Sequence, residues 1–208
     1  MRKYKYKVYS GKAIKEVFEN SRQILFAFLF SVGIIIGARV INSDNYILNE
    51  QIKNLLNSFT MNRAGQGLLS NFSESLFSVI LFSTVSIFLG FSLIGCPFLI
   101  TIPLIRGMGI GAVCGYLYSA YKFTGLGYSL LMIYPGSLFT TLSLLLICND
   151  CCEYSQNAFL KAISGRGRFE KDETRIFLTR QIIFLLIGIF GAFTDALCAE
   201  LFVGIFKL

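Results

Sequence analysis

Five apolar runs, each near the length of a membrane span, limit what this 208-residue chain can fold into. They extend from about Gln23 to Ile41, Leu76 to Ile94, Pro97 to Ala120, Tyr128 to Cys148 and Gln181 to Phe202. At a rise of ~1.5 Å per residue, a helix of each length covers the ~30 Å of a hydrocarbon core. The chain is 54% hydrophobic and only 15% charged, with mean hydropathy +0.64. A soluble domain is about one quarter charged. The fold class is therefore all-α: a polytopic membrane helical bundle of about five transmembrane helices. A basic N-terminal segment, 1–22, precedes a single membrane domain, 23–208.

The first run is too long for the apolar core of a secretory signal peptide and ends GARVINS, with no small-residue cleavage pattern. It reads as an uncleaved span. Charge then sets the orientation, because Lys and Arg accumulate on the cytoplasmic side. With the N-terminus inside, segment 1–22 and the loop 149–180 together hold thirteen of the nineteen basic residues. The outer side holds five: Arg39, Lys53, Arg63, Lys122 and Lys207. Thirteen against five predicts N-in, C-out and a multi-pass protein of the cell membrane. The net charge of +7 is thus spent on orientation rather than on a nucleic-acid stripe.

The first outer loop, 42–73, carries Leu48, Ile52, Leu55, Leu56 and Phe59 at helical spacing, which predicts a short amphipathic helix. Only Gly95 and Cys96 separate the second and third runs, so these form a tight hairpin. Cys96, Cys114 and Cys198 lie in apolar runs, where a free thiol packs as a small hydrophobe. Cys148, Cys151 and Cys152 end the fourth run. Zinc needs four ligands and the chain has no histidine, so neither metal nor other cofactor is assigned. Acylation of a boundary cysteine is the other chemical option. No serine–histidine, cysteine–histidine or paired-carboxylate arrangement is readable, which argues against an enzyme.

The stretch PLIRGMGIGAVCGYLY, 103–118, is the most informative. It fails the P-loop pattern and follows no strand, so a phosphate-binding turn is excluded. Gly107, Gly111 and Gly115 instead repeat G-x-x-x-G on one helix face, a pattern that lets backbones approach closely in lipid. The alternative is a helix broken near Arg106, with Pro103 kinking it, that lines a polar cavity. Arg106 lies roughly 13 Å into its span, where a charge costs ~2.5 kcal/mol or more and requires a partner. Asp195, roughly 22 Å up the last span, is the candidate, offset by about 9 Å along the membrane normal. Pro135-Gly136 breaks the ladder of backbone hydrogen bonds in span four. Glu200 reads as interfacial.

The run GFSLIGCPFLITIPLIRGMGIGAVCGYLY, 90–118, resembles the stage II sporulation protein M family in Ile94, Gly95, Pro97, Gly107, Gly111 and Gly115. MIYPGSL, 132–138, is similar to that family's proline-containing span at Pro135, and Asp195-Ala196 to its Glu-Ala pair. The resemblance covers roughly residues 20–205. It implies a non-enzymatic membrane scaffold for a peptidoglycan-remodelling complex, as in septal engulfment during endospore formation. The partners it implies resemble stage II sporulation proteins D and P, which degrade peptidoglycan. The alternative function is a small transporter or channel subunit with a polar site around Arg106, Pro135 and Asp195. Membrane lipid is a partner under either reading, and a homo-oligomer stays open.

Overall fold

A computed structural model of the chain describes residues 2–41, 54–56, 58, 67–163 and 171–203, with side chains of the first helix from Ser21 onward. The described residues are almost wholly helical. Helix α1 spans Arg2–Ile41, α2 Leu68–Phe91, α3 Gly95–Tyr128, α4 Tyr134–Ile163 and α5 Lys171–Val203. A π-helical turn, Ser129–Ile133, joins α3 to α4. Among the described residues, four stretches are long and apolar enough to cross a membrane: Ser21–Ile41, Leu68–Phe91, Gly95–Ile163 and Asp172–Phe202.

The 69 residues of Gly95–Ile163 do not form one rod. Lys122 has φ 50° and ψ −125°, outside helical space, and the chain reverses there. Cys96 and Cys152 lie 56 positions apart in sequence, which a straight helix would stretch to ~84 Å. Their Cα atoms are 4.8 Å apart. Arg106 likewise reaches Thr140. Both pairs centre on residues 123–124, beside Lys122. An ascending arm, 95–121, therefore packs antiparallel to a returning arm, 123–163, and the bundle has the five crossings expected. Gly125 makes the reversal possible: a methyl there would collide with the Leu117 carbonyl.

The element boundaries differ from the sequence reading in physical detail. Helix α2 begins at Leu68, so the last residues of the expected outer loop are already helical. The tight turn between spans two and three is Ser92–Ile94, and Gly95 and Cys96 are the first residues of α3. Gly95 is needed because a side chain would strike the Leu89 carbonyl. Pro97 sits in the first turn of α3, where its missing N–H is harmless. Pro103 is accommodated within a continuous helix. Pro135 follows directly on the π-helical turn, the local widening that absorbs a ring unable to donate to the ladder. The expected polar loop, 149–180, is helical over 149–163 and 171–180. The amphipathic helix expected around 48–59 falls mostly outside the described residues, although Asn54–Leu56 and Ser58 are helical.

Helix α1 runs parallel to the ascending arm with almost no side chain between them. A methyl on Gly107 would lie 3.2 Å from Gly33 Cα, one on Gly111 2.7 Å from Ile34 Cα, and one on Gly115 3.0 Å from Ala38 Cα. Gly33 and Gly37 complete the seam from the α1 side, facing Leu104 and Met108. In lipid no hydrophobic drive brings helices together, so close van der Waals packing of this kind holds them. The returning arm meets α5 in antiparallel register: Asp150 with Gln181, Ser143 with Phe184, Thr140 with Gly191 and Gly136 with Asp195. Helix α2 runs parallel to the returning arm, with Ser86 beside Cys148 and Gly90 against Cys151.

Candidate functional site: a polar cavity between α2 and α3

The end of the bundle near the α2–α3 turn is tied by polar contacts. Arg22 donates to Gln156 at 3.1 Å, Arg180 pairs with Asp150 at 2.9 Å, and Gln181 donates to Asp150 at 2.7 Å. Ser155 donates to the Ser92 carbonyl at 2.7 Å, an acceptor shared with the Gly95 N–H of the α2–α3 turn. Tyr154 stacks on Phe177 at 4.2 Å. The cysteines behave differently from expectation here. Cys96 and Cys152 form a disulfide, and Cys148 and Cys151 are buried thiols in the core rather than boundary residues. Nothing in the sequence spacing pairs Cys96 with Cys152, because the pairing depends on the reversal at Lys122.

The unusual chemistry lies farther along the bundle. A cavity of about 590 Å³ opens between α2 and α3, with the returning arm and α5 behind it. Gly109 borders it: of the glycines near Arg106, this one points away from α1, and a methyl there would meet nothing within 4 Å. The glycine-rich stretch therefore has two faces. Gly107, Gly111 and Gly115 make the seam, while Arg106 and Gly109 face the cavity. The seam and the cavity lining occupy different faces of one helix, and the break expected near Arg106 is absent: the helix is unbroken between Gly95 and Tyr121.

Arg106 is positioned by hydroxyls. Its Nη1 donates to Ser78 Oγ at 2.8 Å and its Nη2 to Thr140 Oγ1 at 3.5 Å, while the guanidinium carbon sits 5.5 Å from the Phe82 ring centroid. Hydrogen bonds and a ring face together offset part of the ~2.5–3.5 kcal/mol penalty for an arginine at span centre. Asp195 is 7% exposed and accepts from Ser75 Oγ. Gly136 lets it in, since a methyl at that position would collide with Asp195 Cα and Cβ.

These partners fix the relative depth of the two charges. Asp195 is level with Ser75 and Gly136; Arg106 is level with Ser78 and Thr140. The shift is three positions on α2 and four on the returning arm. That is one helical turn, about 5 Å, rather than the 9 Å expected from counting along each span. Glu74, on the α2 rim, is a second carboxylate beside Asp195 of α5 and forms no hydrogen bond with another described residue. One guanidinium thus lies a turn below two carboxylates.

Pro135 is set one residue back from this wall and acts on it through Gly136; Gly95 and Pro97 are at the opposite end of α3. The sequence reading missed Ser75, Ser78, Glu74 and Thr140. A signal was present on α2, where Asn71, Ser75, Ser78 and Phe82 recur at i, i+4, i+7 and i+11 and all border the cavity. Polar residues at helical spacing inside an apolar run mark a lined face.

No match was found to a curated protein or to a solved structure. A family model does match, over residues 26–203, which takes in part of every helix described above. The chain belongs to the stage II sporulation protein M family.

Proposed function

We propose that this protein is a non-enzymatic organiser of a peptidoglycan-remodelling complex in the cell membrane, of the kind that works at the septum during engulfment. Its partners are then peptidoglycan-degrading proteins resembling stage II sporulation proteins D and P. The family match over residues 26–203 carries this reading. The build of the bundle supports it. The glycine seam clamps α1 to the ascending arm, and side-chain hydrogen bonds tie the returning arm to α5. Outward from this rigid body stand Phe77 and Phe88 on α2 and Ile182 and Phe190 on α5, 55–77% exposed, where the membrane helices of partners can pack. Affinity purification of the tagged full chain in mild detergent, across growth stages, tests the proposal. Co-recovery of cell-wall hydrolases is the expected result. Recovery of the chain alone at every stage overturns it.

The cavity favours a second reading, a small transporter or channel subunit. The two readings part on single substitutions. An organiser keeps its partners when folded Arg106→Leu or Asp195→Leu protein is used as bait, and cells retain function. A transporter loses function on the same changes with its partners still bound.

A further inference from the structure

We propose that the cavity between α2 and α3 binds a free α-amino acid with a large apolar side chain, entering head first from the outer aqueous side. Its carboxylate is held at Arg106, its ammonium at Asp195 and Glu74, and its side chain lies toward the outer end. This names a solute class for the cavity of the second reading and rests on that reading only for the choice of site, since binding does not require transport.

The cavity stops inward and extends outward. The contacts of Arg22 and Arg180 mark the cytoplasmic end of the bundle, so α2 enters the membrane from outside at Leu68. Among the described residues the lining reaches no farther inward than Phe82 on α2, Ile105 on α3 and Thr140 on the returning arm. Phe82 packs against the buried core around Leu144 and Ile147, which makes a floor. At the other end the lining takes in Leu55 and Leu56 of the first outer loop, and Leu56 packs in the cluster that holds Ile133. A floored cavity of about 590 Å³ that reaches the outer loop suits a solute entering and leaving by one route, and its size is within the ~300–1,000 Å³ of small-molecule sites.

The order of groups along the bundle selects the class. Arg106 is deepest, level with Ser78 and Thr140, and Asp195 and Glu74 come about one turn, ~5 Å, nearer the outside. On α3, Ile110 and Val113 stand ~6 Å and ~10 Å outward of Arg106 at helical rise. Ile133, on the returning arm, lies outward of Gly136, which is level with Asp195. The series from the floor is thus cation, anions, apolar wall. An α-amino acid entering head first presents the complement: carboxylate, ammonium on the adjacent carbon, side chain beyond. Hydrogen bonds of ~2.8 Å at each end let those neighbouring groups bridge the one-turn offset. The guanidinium fork holds a carboxylate bidentately, and a carboxylate side chain accepts at about four sites, so both charges have capacity beyond a hydroxyl partner. A fatty acid held at Arg106 would draw its chain past two carboxylates and bring them no cation. A phospholipid would need its chains at the floor, where Arg106 lies.

The test is equilibrium binding of L-leucine and L-phenylalanine to the full-length protein in mild detergent. Saturable binding of at least one is expected. For the tighter of the two, the amide, which lacks the carboxylate, and the des-amino acid, which lacks the ammonium, are each expected to bind at least about tenfold more weakly, since each strands one desolvated charge. Glycine, with no side chain for the outer wall, is expected to lose about tenfold or more. Gly109→Leu puts a side chain at a cavity position where a methyl meets nothing within 4 Å, so it is expected to fold and to lose binding by at least about tenfold. Arg106→Gln is expected to erase the preference for the amino acid over its amide. The proposal is overturned by no saturable binding of either amino acid, or by the amide, the des-amino acid or glycine binding as tightly. Full affinity in folded Gly109→Leu, or an undiminished preference in folded Arg106→Gln, also overturns it. Uptake of the same amino acid into proteoliposomes is a separate measurement. Binding without uptake removes the transporter reading and keeps the site; absence of binding removes the site and leaves that reading to its own substitutions.

Discussion

Arg106 and Asp195 lie one helical turn apart on the wall of the same cavity, Arg106 bonded to Ser78 and Asp195 to Ser75 three positions earlier on α2. Opposite charges at that distance in a low-dielectric site are coupled even without direct contact. Arg106→Asp and Asp195→Arg are each expected to destabilise the protein by about 3 kcal/mol, since each leaves two like charges within one helical turn of each other. The double exchange restores the pairing and is expected to recover a substantial part of the loss. Thermal unfolding in detergent measures this. A double variant no more stable than the single ones would show that the two residues are independent.

The seam between α1 and the ascending arm makes a sharper claim about glycines. Gly111→Val forces a side chain against Ile34 backbone atoms and is expected to cost at least the 1–3 kcal/mol (about) of an overpacked core. Gly109→Ala adds a methyl that meets nothing, and an alanine favours the helix by roughly 0.5–1 kcal/mol. Two glycines two positions apart are thus expected to shift the melting temperature in opposite directions. Equal losses at both positions would place the contact with α1 elsewhere.

Much of this was legible from the sequence, and the parts that were not share a cause. Apolar run length alone gives the spans, because hydrocarbon admits little else. Glycine spacing gave the seam face without naming its partner, since Gly33 and Gly37 on α1 became relevant only once the two helices were set parallel. Arg106 was visible as a residue in need of partners, but Ser78 and Thr140 belong to other helices, 28 and 34 positions away. Depth counted along separate spans misplaced Asp195 by about a turn because helix starts drift and spans shift against one another. The disulfide between Cys96 and Cys152 was hidden for the same reason: it depends on a reversal at Lys122, within a stretch whose composition is continuously apolar.

The cysteines report on core packing. Cys148 and Cys151 are buried, whereas Cys114 and Cys198 are partly exposed. Alkylation of the folded protein in detergent, without reductant, is expected to label Cys114 and Cys198 first. Cys148 and Cys151 become labelled only on unfolding, and Cys96 and Cys152 only after reduction as well. Peptide mapping by mass spectrometry reads out each step. Fast labelling of Cys148 in the folded state would contradict its place against Ser86 and the core around Ile147.

The reversal at Lys122 carries a topological prediction. If the chain doubles back there, the turn at Ser92–Ile94 and the turn at Lys122 lie on opposite sides of the membrane. The contacts of Arg22, Lys161 and Arg180 gather those cations at the Ser92–Ile94 end, and the positive-inside bias makes that end cytoplasmic. In a background with the native cysteines replaced, Leu93→Cys is expected to resist a membrane-impermeant thiol reagent in intact cells and to react after permeabilisation. Lys122→Cys is expected to react in intact cells. The reverse pattern would invert the orientation while keeping the hairpin. Reaction of both from one side would remove the hairpin itself, and with it the register that brings Thr140 to Arg106.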